Sequence, residues 1–109
     1  MNLKVSVKDG FSVVSVDGRI DTTNASEFES GMLQLIEGGA AKIILDCSGM
    51  NYISSSGLRV FLVLQKKMTT GTGLFRICSL QAGIREIFDI SGFTSIFSVF
   101  PDQPSALKG

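Results

Sequence analysis

The chain has 109 residues, enough for one hydrophobic core and one domain. Hydrophobic residues make up 44% of it and charged residues 18%, which is the composition of a folded globular protein and excludes intrinsic disorder. Ten basic and ten acidic side chains cancel, so the basic excess with which proteins neutralise nucleic-acid phosphates is absent. Nucleic acid is therefore not a predicted partner.

Neither a targeting segment nor a membrane segment is predicted. Charged residues interrupt the apolar residues of the N-terminus, so no signal peptide is expected. The longest apolar stretch, residues 60–64, is far shorter than the roughly 20 residues that cross a bilayer. Cys47 and Cys78 follow apolar runs without metal-ligand spacing and are predicted to be small buried hydrophobes. We therefore expect a cytoplasmic protein with reduced thiols and no membrane insertion.

The first 20 residues predict a β-hairpin. Residues 3–7 alternate apolar and polar side chains, which is the period of a half-buried strand, and residues 11–16 predict a second strand. Asp9-Gly10 between them is a turn signal that favours antiparallel pairing. Asp17-Gly18 is predicted to end the second strand.

A helix is predicted after the hairpin. Asn24 is its predicted N-cap, with Glu27 three residues later in the spacing of a capping box. Gly38-Gly39 is predicted to end the helix. Apolar residues recur at helical spacing and form its predicted buried stripe: Ala25, Phe28, Met32, Leu35 and Ile36.

The middle of the chain predicts a buried strand, a loop and a second helix. Residues 42–47 contain an unbroken apolar run, typical of a central strand covered on both faces, and residues 48–53 are predicted to form a loop. Residues 58–68 fit a strand as well as a helix. Helix is favoured because the run is long for a strand, serines precede it, and Lys66-Lys67 falls in the last turn, where cations complement the helix dipole.

The last third of the chain predicts two more strands, at residues 74–78 and 96–100, with a helix from about residue 82 to 90 between them. The predicted buried stripe of that helix is Ile84, Ile87 and Phe88. Two prolines leave the tail, residues 101–109, weakly specified, with one helical turn near residues 105–108.

The order of these elements, β-β-α-β-α-β-α-β, predicts an α/β fold. Strands that alternate with helices imply parallel pairing behind the initial hairpin, so the sheet should be mixed and mostly parallel, with helices packed against it. We expect one domain over residues 1–109, with a core from about residue 3 to 100.

The sequence offers little support for an enzyme. The chain contains no histidine, which excludes Ser-His-Asp and Cys-His mechanisms. A Ser-x-x-Lys spacing occurs at residues 105–108, but in the tail, and no Gly-Lys-Ser/Thr phosphate loop is present. Glu27 and Glu29 are two residues apart and lie on different parts of a helix surface. No catalytic residue, metal or cofactor is predicted.

The serine cluster, defined as Ser54, Ser55 and Ser56, precedes Gly57 and the second helix. One interpretation is helix capping, in which a serine oxygen accepts a hydrogen bond from a free backbone N–H. Capping needs only one serine, however. The other interpretation is that a phosphoryl group or another anion lies at this helix start, where the helix dipole and free N–H groups favour negative charge.

Three segments resemble the STAS-domain family of anti-sigma factor antagonists. Residues 44–58 (Ile-Leu-Asp-Cys-Ser-Gly-Met-Asn-Tyr-Ile-Ser-Ser-Ser-Gly-Leu) resemble the family's apolar strand followed by Asp-Ser-Ser/Thr-Gly-Leu at a helix start. Residues 18–21 (Gly-Arg-Ile-Asp) resemble its Gly-x-Leu/Ile-Asp, and residues 87–93 resemble its late Leu-Phe-x-x-Ser-Gly. The order of elements agrees from about residue 3 to 100. The resemblance implies a single STAS domain.

The resemblance also implies a phosphorylation switch. In such antagonists the serine two residues before the glycine accepts phosphate from an anti-sigma factor with serine-kinase activity. This position is Ser55 here, with Ser56 as the second choice. The unphosphorylated form binds the anti-sigma factor and frees the sigma factor, and a serine phosphatase restores it. Ser54 stands where the family commonly has aspartate.

The resemblance predicts a partner-binding surface made of Asp21, Thr22, Ser54, Ser55, Ser56, Gly57 and Arg59. Some of these residues have structural interpretations as well. Arg59 fits a solvated side chain in the first helical turn, Asp21 fits the capping region of the first helix, and Gly57 fits a close approach of another backbone. Asp46, outside this surface, is predicted to bind the amides of the following loop.

The sequence leaves two alternatives to a phosphorylation-switched antagonist open. One is a STAS scaffold or accessory subunit of a larger sensor or transporter complex, without a working phosphorylation switch. The other is a nucleotide-binding protein or small enzyme, for which the usual motifs are missing.

Overall fold

In the computed structural model, which describes residues 3–109, five strands form one sheet in which each strand lies beside the next strand of the chain. The predicted order of elements is confirmed, with one more helix at the end. The elements are β1 (Leu3–Lys8), β2 (Phe11–Ile20), α1 (Ala25–Glu37), β3 (Lys42–Ile53), α2 (Ser55–Thr70), β4 (Leu74–Cys78), α3 (Ala82–Ile90), β5 (Ser98–Phe100) and α4 (Gln103–Lys108).

The predicted hairpin is confirmed, and so is the parallel pairing behind it. β1 pairs with β2 antiparallel, whereas β2, β3, β4 and β5 pair in parallel. Asp9 and Gly10 have φ angles of 51° and 82° and connect Lys8 to its cross-strand partner Phe11. A two-residue turn that matches the twist of the flanking strands requires a positive φ angle at both of its residues. Asp and Gly adopt such angles more readily than other residues, which explains the Asp-Gly sequence.

One face of the sheet is covered by α1, α2 and α3, which bury a continuous apolar core. Phe61 of α2 lies at its centre, with ring centroids 5.7 Å from Phe28 of α1 and 6.3 Å from both Phe88 of α3 and Phe97. These distances lie in the range of favourable tilted and edge-to-face ring contacts. Cys47 belongs to this core and is buried as predicted.

The other face of the sheet is covered by α4. Ala106 of α4 has no exposed surface and belongs to an apolar cluster with residues of three strands: Phe11, Val13, Ile44 and Cys78. Asp102 caps α4 by accepting a hydrogen bond from Ser105 N at 2.9 Å, and the Arg76 guanidinium donates to the carbonyl of Ala106 at 2.7 Å. The tail therefore holds more structure than the single turn predicted for it.

The main differences from the sequence prediction are two longer strands. β2 continues through Asp17-Gly18 to Ile20, and β3 continues through the predicted loop to Ile53. Both extensions pair with each other, up to the pair Ile20–Ile53. Two register shifts, between Ser15 and Asp17 and between Gly18 and Arg19, accommodate residues that would otherwise end a strand, and Gly18 adopts a φ of 84°.

The capping box predicted for α1 is wrong. Asn24 occupies the N-cap position but makes no side-chain bond to the helix; its Oδ1 accepts from Asp21 N and its Nδ2 donates to the carbonyl of Arg19, both at 2.9 Å. These bonds hold the preceding loop instead. In the predicted stripe of α1, Ala25, Phe28 and Met32 are buried, while Leu35 and Ile36 are half-buried.

Three smaller differences concern element ends and one side chain. α2 begins at Ser55 and runs to Thr70, longer than predicted at both ends. β5 begins at Ser98 because a turn of 3-10 helix, Phe93–Ser95, precedes it. In α3, Ile84 and Phe88 are buried as predicted, but Ile87 is 44% exposed, because it lines an open cleft beside the end of β3.

The packing of α4 predicts a specific change in thiol reactivity. Ala106→Glu is expected to displace α4, because a carboxylate cannot be buried in an apolar cluster without a partner. A thiol reagent should then react rapidly with Cys78. In the protein without this substitution, burial raises the pKa of Cys78 to about 11 and keeps the thiol unreactive. Mass spectrometry of the labelled protein measures the rate for each cysteine. Lys108→Glu, at an exposed position of α4, is the matched control, and equal rates in both variants would contradict this packing.

Candidate functional site

The serine cluster lies where the first turn of α2 meets the carboxyl ends of two parallel strands. Ser54 N donates to the carbonyl of Ile20, the last residue of β2, at 2.8 Å, directly after β3 ends at Ile53. In α/β proteins, binding sites commonly lie outside the carboxyl ends of parallel strands, where loops converge and helices begin. The structure therefore places the serine cluster at the carboxyl ends of β2 and β3, the position at which binding sites are common in this class of fold.

The three serines have three different environments. Ser54 is only 8% exposed, and its Oγ accepts a hydrogen bond from Gly57 N at 3.2 Å, so it is the N-cap of α2. Ser55, the first residue of the helix, is exposed, and Ser56 is half-buried. The capping interpretation is thus confirmed for Ser54, while the other two hydroxyls have no capping bond in the part of the chain that the structure describes.

Gly57 allows the first turn of α2 to lie directly on the strand ends. A Cβ at this position would stand 2.7 Å from Cγ2 of Ile20 and 2.8 Å from Cγ1 of Ile53. Both distances are shorter than real Cβ contacts, and both isoleucines are buried. The prediction of a close approach at Gly57 is confirmed, although its neighbours are side chains of β2 and β3 rather than backbone.

The loop between β2 and α1 holds Asp21 in a fixed arrangement. Oδ1 of Asp21 accepts from Thr23 N at 3.0 Å and from Thr23 Oγ1 at 2.6 Å, and its Oδ2 lies 3.6 Å from Nε of Arg19. These hydrogen bonds from Thr23, aided by Arg19, lower the pKa of Asp21 below its ordinary value. Because its carbonyl also accepts from Asn24 N and Ala25 N, Asp21 does belong to the start of α1.

A shallow polar groove connects the two parts of the predicted partner-binding surface, the loop before α1 and the start of α2. It runs between the starts of α1 and α2, and residues of both helices and of the preceding loop line it: Thr22, Ala25, Ser26, Glu29, Ser56, Arg59 and Val60. The groove brings together Thr22, Ser56 and Arg59, which the sequence placed on one surface. Asp21 and Ser55 are not among its lining residues.

Arg59 is the cation that lies nearest to the serine cluster along α2. It is exposed, as its structural interpretation predicts. Residues three and four positions apart on a helix are neighbours, with Cβ atoms about 5–6 Å apart. Arg59 is therefore adjacent to both Ser55 and Ser56, and a negative charge on either hydroxyl would lie within reach of its guanidinium.

Two residues near the site were missed by the sequence prediction. The guanidinium of Arg19 stacks over the ring of Tyr52, 4.3 Å from the centroid, and Tyr52 is 42% exposed. The two residues are cross-strand partners in the extensions of β2 and β3. Because residues 48–53 were predicted to form a loop, no sequence signal paired them.

Asp46 makes the predicted contact with the amide of Ser48, which lies in β3 rather than in a loop, and it is outside the candidate site. Its Oδ1 accepts from Ser48 N at 3.0 Å, which confirms the prediction. Its Oδ2 accepts from the side-chain amide of Gln103 in α4 at 2.8 Å, a bond that the sequence did not indicate. Asp46 thus fixes the end of the buried part of β3 and the start of α4.

Two further findings bear on function. Within residues 3–109, no helix is long and apolar enough to cross a membrane. In the same range, no group of three or more histidine, cysteine, aspartate or glutamate side chains is arranged to hold a metal ion.

A five-stranded mixed sheet, with a capped, serine-bearing helix that starts where two of its parallel strands end, defines a single-domain α/β protein. The family model of the STAS domain matches residues 2–106, and the chain belongs to the STAS domain family.

Relatives with known names agree with this family. BtrV of Bordetella bronchiseptica, named as a candidate anti-sigma factor antagonist, is 34% identical over 97% of this chain and 91% of its own length. The crystal structure of an anti-sigma factor antagonist from Mycobacterium paratuberculosis has a TM-score of 0.88 and 26% identity, over 98% of this chain and 91% of that one. The phosphorylated form of the Bacillus protein SpoIIAA has a TM-score of 0.70 at 16% identity, with 91% of each chain covered, and shares the fold.

The contact at Gly57 predicts a loss of stability on adding one methyl group. Gly57→Ala is expected to lower the free energy of unfolding by about 1–3 kcal/mol, because the new Cβ would overlap two buried isoleucines. Gly83→Ala is the matched control: Gly83 lies in α3, and a Cβ there would meet nothing within 4 Å, so alanine should stabilise by about 0.5–1 kcal/mol. Urea unfolding of both variants measures the difference. Equal effects would contradict the close approach.

The hydrogen bonds of Asp21 predict a pH effect. Thr23→Val removes the hydroxyl donor and is expected to raise the pKa of Asp21 toward its ordinary value. Since the folded pKa is lowered, ionised Asp21 favours the folded state above its unfolded pKa, and this contribution is lost as pH falls through the folded pKa. NMR titration of the Asp21 carboxyl carbon measures the shift. Thr22→Val, an exposed neighbour, should leave the pKa unchanged; a shift there as large as in Thr23→Val would refute the assignment.

Proposed function

We propose that this chain is an anti-sigma factor antagonist whose unphosphorylated form binds an anti-sigma factor with serine-kinase activity, so that a sigma factor is released. The family, and the names of relatives that span nearly the whole chain, support this class of function. The chain then acts through binding and not through catalysis of its own. The observation that carries the proposal is the exposed hydroxyl of Ser55 beside a neutral, capped helix start.

Ser55 is the proposed phosphate acceptor, and its environment supports this assignment over its neighbours. A kinase must bring the acceptor hydroxyl in line with the γ-phosphate of ATP, which requires an exposed side chain. Ser54 is buried, and its oxygen is occupied by the amide of Gly57. Ser56 is half-buried at the groove between α1 and α2, which makes it the second choice.

Ser54, in place of the family's common aspartate, is compatible with the switch. Serine and aspartate are both good N-cap residues, and the capping bond to Gly57 N is present. An aspartate would add a negative charge next to Ser55, whereas serine leaves the helix start neutral. The substitution therefore removes repulsion from an incoming phosphate without loss of the cap.

The local electrostatics favour a phosphate that leaves the fold intact. Phosphoserine adds about −1.5 to −2 charges at pH 7. At a helix N-terminus such a charge is favourable by about 0.3–1 kcal/mol at an exposed site, and Arg59 one turn later offers a counter-charge. Phosphorylation of Ser55 should thus add charge and bulk at the surface without unfolding α2.

The switch then acts by blocking the interface. The proposed partner-binding surface contains the residues around the start of α2 and the loop before α1: Asp21, Thr22, Ser54, Ser55, Ser56, Gly57 and Arg59. A partner that covers this surface would have to bury the phosphate, and an unpaired buried charge is very costly. Binding is lost, and a serine phosphatase restores it.

The site of phosphorylation tests the switch directly. We expect incubation with the cognate serine kinase and ATP to place one phosphate on Ser55, as mapped by mass spectrometry of proteolytic peptides. Ser55→Ala should abolish the modification, while Ser56→Ala, the matched control in the same helical turn, should retain it. If no serine of the cluster is modified, the scaffold or accessory role of a STAS subunit is the better explanation.

The mechanism of the switch is tested by affinity and by NMR. Ser55→Glu is expected to raise the Kd for the anti-sigma factor at least about 30-fold, because a charge buried without a partner costs at least about 2 kcal/mol. Calorimetry measures this, with Ser55→Gln as the uncharged control of the same size. Backbone amide shifts on phosphorylation should stay near the start of α2; shifts throughout the sheet would point to a conformational change instead.

A further inference from the structure

β1 forms an exposed edge of the sheet. It pairs only with β2, and five of its six residues are exposed, including Val5 at 50% and Val7 at 74%. The opposite edge is β5, which is only three residues long. Exposed edge strands bind other strands, and proteins protect them by shortening or covering them or by placing charged side chains, especially lysine, on them. We propose that β1 binds an extended segment of a partner protein in which apolar and acidic residues alternate.

The backbone of β1 offers unpaired hydrogen-bonding groups for such a segment. Lys8 and Phe11 flank the two-residue turn and are directly paired, so the turn bond joins their backbones. Hydrogen-bonded and non-hydrogen-bonded pairs alternate along an antiparallel ladder. The N–H and C=O groups of Leu3, Val5 and Val7 therefore point away from β2, toward the free edge, where an added strand can bind them.

An open groove beside β1 accounts for the apolar half of the proposed pattern. It has a volume of about 580 Å³ and lies between β1 and α1, on the helix-covered face of the sheet. Its apolar wall consists of Leu3, Val5, Val14, Met32 and Leu35, and α1 also contributes polar residues to the lining: Glu27, Ser30 and Gln34. In a strand added beside β1, every second side chain would lie on this face, next to Leu3, Val5 and Val7. Apolar side chains there would fill the groove.

The positive charge of β1 accounts for the acidic residues of the proposed partner segment. Lys4 and Lys8 alternate with the valines and so lie on the opposite face of the strand, together with Ser6. Both lysines are exposed, and within residues 3–109 neither forms an ion pair; Lys8 donates to the neutral amide oxygen of Gln103. Carboxylates at alternate positions of an added strand would lie opposite these ammonium groups, which stabilises cross-strand pairs.

The same lysines disfavour one pairing of β1 with a second copy of this chain. In a two-fold antiparallel pairing centred on Ser6, Lys4 would lie opposite Lys8 of the second copy at two symmetric positions. Like charges directly opposite each other destabilise strand pairing. Pairing centred on Val5 or Val7 would place a lysine opposite Ser6 without gain, whereas a carboxylate opposite each lysine is favourable, so the lysines favour a partner of opposite charge.

The proposed surface shares no residue with the partner-binding surface at the start of α2. β1 contributes residues 3–8, whereas the serine cluster and its neighbours lie on α2 and on the loop between β2 and α1. Because the two surfaces share no residue, this inference does not depend on the switch at Ser55.

NMR titration of the labelled protein with two synthetic peptides tests the proposal. Both are seven residues long and blocked at their ends, and they alternate valine with either glutamate or lysine. Up to about 1 mM peptide, we expect the glutamate peptide to shift the backbone amides of Leu3–Lys8, and the lysine peptide to leave them unchanged. The absence of β1 shifts with the glutamate peptide, or equal shifts with both peptides, would overturn the proposal.

Variants of β1 separate backbone pairing from charge. Val7→Pro removes an outward N–H without removing a bond to β2, and should weaken binding about tenfold, whereas Val7→Thr should bind as the unmodified protein does. Lys4→Glu combined with Lys8→Glu should reverse the preference toward the lysine peptide. Sedimentation equilibrium of the unmodified protein should show a monomer; a dimer abolished by Val7→Pro would assign the edge to a second copy and overturn the proposed occupant.

Discussion

The contact between the first turn of α2 and the ends of β2 and β3 is the constraint on which the rest of the site depends. Gly57 lies against Ile20 and Ile53, and the amide of Ser54 binds the carbonyl of Ile20. Both contacts exist only because β2 and β3 stay paired to their last residues. Together they fix the start of α2 at the carboxyl ends of these two strands, so that the hydroxyl of Ser54 is buried as a cap and the hydroxyl of Ser55 is exposed.

Much of the fold could be predicted from sequence because its signals are local. The Asp-Gly turn reflects the positive φ angles of its two residues, whereas the stripe of α1 and the apolar run of β3 reflect burial at a fixed spacing. The structure confirms the turn and the run, and it buries Ala25, Phe28 and Met32 of the stripe. The start of α2 was also recognisable, because serines followed by glycine at a helix start carry both a capping signal and a family resemblance. The candidate residues of α2 followed from that segment, whereas Asp21 and Thr22 followed from the resemblance of residues 18–21.

The features that the sequence did not predict depend on the pairing of residues that are distant in the chain. Asp17-Gly18 and Ser48-Gly49 are breaks in their own strands, and only their mutual pairing, with two shifts of register, makes them continuous. The stacking of Arg19 on Tyr52 depends on the same pairing. Only the last turn of α4 was predicted, because the helix is held by Arg76 and Asp46, whose bonds reach Ala106 and Gln103 over 30 and 57 positions of the chain. Local propensity cannot encode such bonds.

The order of the sheet has a consequence for how the chain acquires its structure. Each strand pairs only with its neighbours in sequence, so the hairpin can form first and each later strand can add to an edge that already exists. Contacts between segments close in sequence need little loop closure and favour rapid folding, and they suit growth from the N-terminus during synthesis on the ribosome. α4 alone must wait for the complete sheet, since its binding face is built from β2, β3 and β4 together.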